Sequence, residues 1–192
     1  QSIHQFSHVT FDQKVIQNNK PRYMMMNKPT GVVSATKDLR HKTVIDLLEK
    51  DDRDGLHIAG RLDFNSSGLI LLTNDGRWSR QLSSPANKVI KRYHVELEKP
   101  LDESYILAFS KGMYFAYEGI ITQPAKLKII SSHIGEVSLI EGRYHQIKRM
   151  FGRFQNKVLQ LHRLSIGNLA LDAKLEPGQN SVLSKEDADN IL

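Results

Sequence analysis

The segment best suited to chemistry is residues 60–76, which read GRLDFNSSGLILLTNDG. The carboxylate of Asp63 follows Arg61 closely, and a short polar turn separates it from the apolar run Leu69–Leu72. Four consecutive apolar residues bounded by turn residues predict a buried strand. A carboxylate at the mouth of a buried strand, with an arginine beside it, suits reaction on a substrate that carries negative charge. The alternative is a surface turn in which Asp63 and Ser66 cap backbone amides.

The charge distribution favours a polyanionic partner. The net charge is +6, and the stretch 143–171 contains six Lys or Arg residues, two His and no acidic residue. A second basic cluster, formed by Lys88, Lys91, Arg92 and His94, surrounds Tyr93. Either cluster alone could be a solvated surface. Two acid-poor clusters together with the Asp63 segment predict a surface that follows nucleic-acid phosphates.

Composition excludes several other classes of protein. The 192-residue chain has no cysteine, which rules out disulfides and zinc sites built on thiolates. Its eight histidines include one pair at H-x-x-x-H spacing, His4 and His8, but two histidines alone do not make a metal site and no cysteine can complete one, so no metal is predicted. No apolar stretch approaches the roughly 20 residues that span a bilayer, and no secretory signal is visible. We therefore expect a cytoplasmic protein that does not contact membranes.

Hydrophobic periodicity predicts an α+β protein. The predicted strands span 8–11, 14–16, 23–26, 32–35, 69–72, 90–97, 125–130, 136–140, 158–161 and 169–171. The predicted helices span 43–48, 76–82, 102–111 and 144–154, and a last helix begins with a capping box of Ser184 and Asp187. Helices interspersed among many strands, with little βαβ regularity, favour a mostly antiparallel sheet.

Four segments together resemble the pseudouridine synthases, in particular the branch that modifies bacterial ribosomal RNA. Residues 60–76 resemble that branch's G-R-L-D-x-x-[ST]-x-G-L pattern followed by T-N-D-G. The other three segments are NKPTG at 27–31, KRYHV at 91–95 and EGRYHQIKRMF at 141–151. The resemblance extends from about Arg22 to the end of the chain. It implies an extended, mostly antiparallel mixed sheet with flanking helices and a central cleft.

The resemblance also implies a reaction and roles for particular residues. Pseudouridine synthases break the bond between uracil N1 and ribose C1′, turn the base over and rejoin it through C5, without a cofactor. Asp63 matches the catalytic aspartate, which either attacks C1′ or removes a ribose proton. Lys148 matches the cation that pairs with this aspartate, and Tyr93 matches the tyrosine that stacks on the target base. Further substrate contacts are implied at Arg61, Ile147, Lys28, Arg143, His145, Arg149 and Arg163.

Ile147 matches an aliphatic residue that packs on the uracil, although its place in an apolar helix stripe equally suits a purely core role. Arg61 matches a position that enters the space left by a flipped base or holds its phosphate. Flipping is expected because a stacked uridine cannot present C1′ to a buried aspartate.

Two alternatives belong to other classes. A binding module that kept the fold would explain the basic clusters but would not need Asp63, Tyr93 and Lys148 together. A nucleoside glycosidase usually needs paired carboxylates, and Glu141 is the only other acid in the matched motifs apart from the Asp75 of the T-N-D-G turn. We therefore predict a monomeric ribosomal RNA pseudouridine synthase. The form of the 141–151 segment favours small-subunit over large-subunit RNA.

The resemblance predicts two parts in the chain. Residues 1–20 resemble the tail of an N-terminal RNA-binding module and its linker, and residues 21–192 are expected to form the catalytic domain.

Overall fold

A computed structural model describes residues 4–17 and 19–191. The strands are β1 (Val9–Phe11), β2 (Lys14–Gln17), β3 (Tyr23–Lys28), β4 (His57–Ala59), β5 (Ser67–Thr73), β6 (Lys91–Leu97), β7 (Tyr114–Phe115), β8 (Ile120–Ile121), β9 (Lys126–Ser131), β10 (Ile134–Leu139), β11 (Val158–Ile166), β12 (Leu169–Ala170) and β13 (Asn180–Val182). The α-helices are α1 (Gly76–Ser83), α2 (Glu103–Lys111), α3 (Gln146–Gly152) and α4 (Lys185–Asp189). Short 3₁₀ turns cover Ile45–Leu47, Lys50–Asp52 and Pro85–Asn87.

Nine of these strands form one mixed sheet, as the sequence predicts. Its main order is β13-β3-β5-β11-β6-β10-β9, with β4 beside β5 and β12 beside β11. Within the part of the chain that the structure describes, β5 and β11 form the single parallel pair of this sheet, and the other pairs are antiparallel. The parallel contact is short and joins Ser67 and Gly68 to His162 and Arg163. This junction lies at the centre of the sheet and divides it into two halves.

The two halves are buried differently. In the first half, β5 is covered on both faces: Leu69 and Leu71 pack in one core cluster, and Ile70 and Leu72 in another. A strand buried on both faces reads as a continuous apolar run, which explains the pattern of residues 69–72. In the second half, the alternating side chains of β6 face α2 and α3 on one side only. The helices pack together there, with the rings of Phe109 and Phe151 4.8 Å apart.

Four predicted elements differ from the structure, one of them the strand predicted at 158–161, which extends to Ile166. Residues 32–35 are not a strand: Val33 makes an isolated bridge to Thr43, and the Ser34 side chain bonds to Leu62 instead. The predicted helix at 43–48 is a 3₁₀ turn over Ile45–Leu47. The helix predicted at 144–154 is shorter, because His145 has a left-handed backbone with φ of 48° and the helix begins after it.

The N-terminal strands and the lengths of the helices complete the description of the fold. Strands β1 and β2, which match the strands predicted at 8–11 and 14–16, pair with each other as an antiparallel hairpin. In the described residues, no helix is both long and apolar enough to cross a bilayer.

Candidate active site

The Asp63 loop connects β4 to β5 and is held in place through its backbone. The ammonium of Lys28 is fully buried and donates to the carbonyls of Pro29, Asp63 and Ser66 at 2.9, 3.1 and 2.8 Å. Burial is the main cause that lowers the pKa of Lys28 to about 8, and the Asp63 carboxylate opposes this shift. Lys28 therefore fixes the loop from the β3 side.

Arg163 of β11 holds the same loop from the opposite side. Its guanidinium is buried and donates to the carbonyls of Gly60 and Leu69, both at 2.7 Å, and more weakly to that of Arg61 at 3.4 Å. The same group lies 3.5 Å from the hydroxyl of Tyr93 on β6. Arg163 thus connects the Asp63 loop to the strand that carries Tyr93.

Helix α3 and the residue that precedes it bring two side chains to the carboxylate of Asp63. Lys148 Nζ lies 3.2 Å from Asp63 Oδ2, and His145 Nε2 lies 3.5 Å from Oδ1. All three side chains are partly exposed, so the carboxylate is both accessible and neighboured by positive charge. A carboxylate that lies beside an ammonium at this distance is suited to act as a nucleophile or as a base.

The loop before α3 is braced by a buried polar pair. Gln146 Nε2 donates to Glu141 Oε2 at 2.9 Å, and its Oε1 accepts from the backbone N–H of Arg143 at 3.2 Å. This brace supports the left-handed backbone of His145, a conformation that is uncommon outside glycine. Strained backbone conformations of this kind concentrate at functional sites.

These elements enclose a cleft of about 550 Å³ between the Asp63 loop, β6 and α3. Tyr93, 8% exposed, and Ile147, 4% exposed, line its inner part together with Leu139 and Leu161. Arg61 and Arg143 line it as exposed side chains. The cleft therefore combines an accessible carboxylate, an aromatic and aliphatic floor, and cations at its rim. That combination suits a planar base attached to a phosphodiester chain.

Three of the residues predicted to contact RNA make bonds to other groups of the protein. Lys28 and Arg163 are buried and bonded to carbonyls. Arg149 is paired with both carboxylate oxygens of Glu118 at 2.6 Å and lies over the ring of Phe115. All three make these contacts within the protein, and their roles at the substrate stay predictions. The roles of the other predicted site residues, Asp63, Tyr93, Lys148, Arg61, Ile147, Arg143 and His145, stay predictions.

Sequence reasoning missed two residues of this site. Ser34 accepts from the N–H of Leu62 and donates to its carbonyl, which ties residues 32–35 to the Asp63 loop. Tyr144 lines the cleft as an exposed ring. Ser34 carries no local signal because its partner lies 28 residues away. Tyr144 gave a signal, since it lies inside the 141–151 motif beside His145.

No ligand set for a metal stands out in this region. Among residues 4–17 and 19–191, no group of three or more His, Cys, Asp or Glu side chains is arranged to hold a metal ion.

Comparison with known proteins places the chain in a family. Residues 22–152 match the family described as RNA pseudouridylate synthase. The chain is 51% identical over 183 residues to "Ribosomal small subunit pseudouridine synthase A" of Pseudomonas aeruginosa, which covers 95% of this chain and 80% of the relative. It is 41% identical over 183 residues to the protein of the same name from Vibrio cholerae, covering 95% and 79% of the two chains.

A solved structure supports the same family assignment. A protein described as "Crystal structure of pseudouridylate synthase" superposes with a TM-score of 0.87 at 36% identity, over 100% of this chain and 83% of the other. Together with the cleft described above, these likenesses establish that the chain belongs to the RNA pseudouridylate synthase family.

Proposed function

We propose that this protein converts a uridine of small-subunit ribosomal RNA into pseudouridine. The observation that carries this proposal is the carboxylate of Asp63, accessible in a cleft and paired with Lys148 at 3.2 Å. The small-subunit assignment is supported by relatives of that name at 51% and 41% identity, over most of both chains.

The geometry of the cleft supports a separate role for each of its side chains. Asp63 acts at C1′ of the ribose, by attack or by removal of a ribose proton, and both routes need an ionised carboxylate. Lys148 supplies the neighbouring positive charge, and the imidazole of His145 lies beside the other carboxylate oxygen. Tyr93 lies deeper in the cleft, where its ring can stack on the uracil while Ile147 packs against the base.

The depth of the cleft supports flipping of the target nucleotide. A uridine stacked inside an RNA helix keeps its C1′ away from a carboxylate recessed between α3 and the Asp63 loop. Extrusion of the base costs a few kcal/mol, which contacts to the cleft and its rim must offset. Arg61 and Arg143 are exposed at this rim and are suited to bind the phosphates beside the flipped nucleotide; Nε of Arg143 also lies 3.3 Å from Glu141 Oε1, which orients its guanidinium.

We propose further that the catalytic domain spans residues 21–192 and acts as a monomer in the cytoplasm. Asp63, Tyr93 and Lys148 all come from one chain, which supports action as a monomer. Light scattering at assay concentration checks this: a stable dimer would contradict the monomer, with no bearing on the reaction.

The test of the reaction is tritium release from transcribed ribosomal RNA labelled at uridine C5. Release of tritium with the base retained in the chain is expected. Free uracil would indicate a glycosidase, and binding with neither product would indicate a non-catalytic RNA-binding module. Mapping pseudouridine in ribosomal RNA from a strain that lacks the protein tests the substrate. Loss of a small-subunit site is expected, and loss from the large subunit alone would overturn that assignment.

A further inference from the structure

Tyr144 lies at the mouth of the cleft, and its side chain has no role in the site described above. It is 73% exposed, although it lines the same cleft as Asp63 and Tyr93. A tyrosine ring has a large apolar surface, which is usually buried against another group. An exposed ring at the entrance to an active site therefore offers a contact surface to an incoming substrate.

The ring of Tyr144 is fixed by its neighbour. It stacks on the imidazole of His145, with the ring centroids 3.8 Å apart and the planes 18° from parallel. The imidazole in turn lies 3.5 Å from the carboxylate of Asp63. One face of Tyr144 is thus covered by a residue of the site, while the opposite face is open to solvent.

The backbone under Tyr144 is also held on both sides. On one side, the Glu141 and Gln146 pair braces the loop. On the other, Arg149 donates to the Tyr144 carbonyl at 3.4 Å while its guanidinium is bound by Glu118. The ring is therefore presented in a defined position before any substrate arrives, which lowers the entropic cost of binding.

We propose that the open face of Tyr144 is a stacking platform for a nucleobase adjacent to the uridine that enters the cleft. This inference rests on the proposed function and adds a position for the neighbouring nucleotide. When a uridine is extruded towards Asp63, an adjacent base loses its stacking partner. Stacking on an aromatic side chain replaces that interaction and tolerates any base, because every base has a π-face.

The positive charges near Tyr144 are suited to bind the phosphates of a nucleic acid. The side chains of Arg143 and Arg61 are exposed at the same cleft. Cations beside an exposed ring match the alternation of phosphates and bases along a single strand.

The test compares Tyr144→Leu, Tyr144→Phe and the control Tyr117→Leu by tritium release from a small-subunit ribosomal RNA transcript. Tyr117, at the turn between β7 and β8, is 97% exposed and is not part of the cleft, so it is a matched exposed tyrosine. Tyr144→Leu should raise KM about fivefold or more while kcat changes by less than about twofold. Tyr144→Phe and Tyr117→Leu should keep the wild-type KM.

A fluorescence measurement locates the base. With 2-aminopurine placed next to the mapped uridine, on its 5′ or its 3′ side, wild-type protein should quench the probe at one of the two positions through stacking. Tyr144→Leu should remove that quenching and Tyr144→Phe should retain it.

The outcomes separate this inference from the proposed function. An active wild-type protein whose KM is unaffected by Tyr144→Leu would overturn the platform. A fall in kcat with unchanged KM would also overturn it, because Tyr144 would then act by positioning His145 against Asp63. Absence of tritium release from the wild-type protein would instead refute the reaction itself.

Discussion

The backbone of Arg163 on β11 occupies the space that a side chain at Gly68 on β5 would need. Gly68 has a φ of 104°, a conformation that residues with a side chain rarely adopt, and it is paired in register with Arg163. This contact joins the two halves of the sheet at their parallel junction. It also sets the position from which the Arg163 guanidinium reaches Gly60 and Tyr93.

Gly68→Ala should therefore destabilise the protein strongly. A methyl group would overlap the Arg163 backbone and strain a positive φ, and we expect a loss of about 2 to 4 kcal/mol in the free energy of unfolding. Urea denaturation measures the change. Gly76→Ala is the control, because Gly76 opens α1 with free space around it and should be neutral. Equal stability of the two variants would contradict the tight junction.

Asp63→Asn should abolish turnover and leave RNA affinity within about tenfold of wild type, because it removes the reactive charge but little contact area. Tritium release and filter binding measure the two effects. Asp102→Asn, at the exposed N-cap of α2, is a matched change of charge and should retain activity, since asparagine caps helices equally well. Turnover above a few per cent in Asp63→Asn would remove Asp63 from the catalytic role.

Tyr93→Phe should keep RNA binding near normal and impair product formation. The ring remains in the cleft, whereas the hydroxyl, 3.5 Å from Arg163, is lost. Tyr93→Leu should impair both, because stacking on the base is lost as well. Single-turnover rates separate chemistry from binding. A fully active Tyr93→Phe beside an inactive Tyr93→Leu would make stacking the whole contribution of Tyr93.

Arg61→Gln should flatten the salt dependence of RNA binding, whereas Arg149→Gln should not. Arg61 is exposed at the cleft, and each phosphate contact contributes slightly less than one unit to the log–log slope. Arg149 is already neutralised by Glu118 at 2.6 Å. Binding constants measured over a series of salt concentrations give both slopes. A flatter slope in Arg149→Gln alone would show that Glu118 releases this arginine to RNA.

The free energy of unfolding should rise with pH from about pH 8 towards pH 10. Burial lowers the pKa of Lys28 and of Lys91 from 10.5 to about 8 in the folded protein. In this range the unfolded chain holds protons that the folded chain has released, so higher pH favours folding; below about pH 8 both states are protonated and the effect is constant. Above about pH 10, Tyr23 opposes the rise, because its pKa is raised to about 12.

Urea denaturation at several pH values measures this rise. Lys91→Met should reduce it, and Lys126→Met, at an exposed position on β9, should not. A stability that stays flat or falls across this range would contradict ammonium burial as the cause.

Features that depend on nearby residues could be predicted from the sequence. Asp75 caps α1 by accepting from Arg77 and Trp78, and Ser184 forms the predicted capping box with Asp187. The alternating burial of β6 also follows the predicted pattern. These features are set by bonds and periodicities that span a few residues, so the sequence carries their signal directly. The Asp63 loop was identified in the same way, from one continuous motif.

The contacts of three basic side chains, two of them buried, were decided only by the tertiary structure. Lys28 bonds to a carbonyl 35 residues away, Arg163 to one 94 residues away, and Arg149 pairs with an acid at a separation of 31 residues. A basic side chain in a motif has the same appearance whether it faces a phosphate or a backbone carbonyl. Whether such a side chain near the Asp63 loop meets a phosphate or a carbonyl depends on where the parallel junction of β5 and β11 places the loop. Burial removes the side chain from solvent, so only protein acceptors remain for its donors.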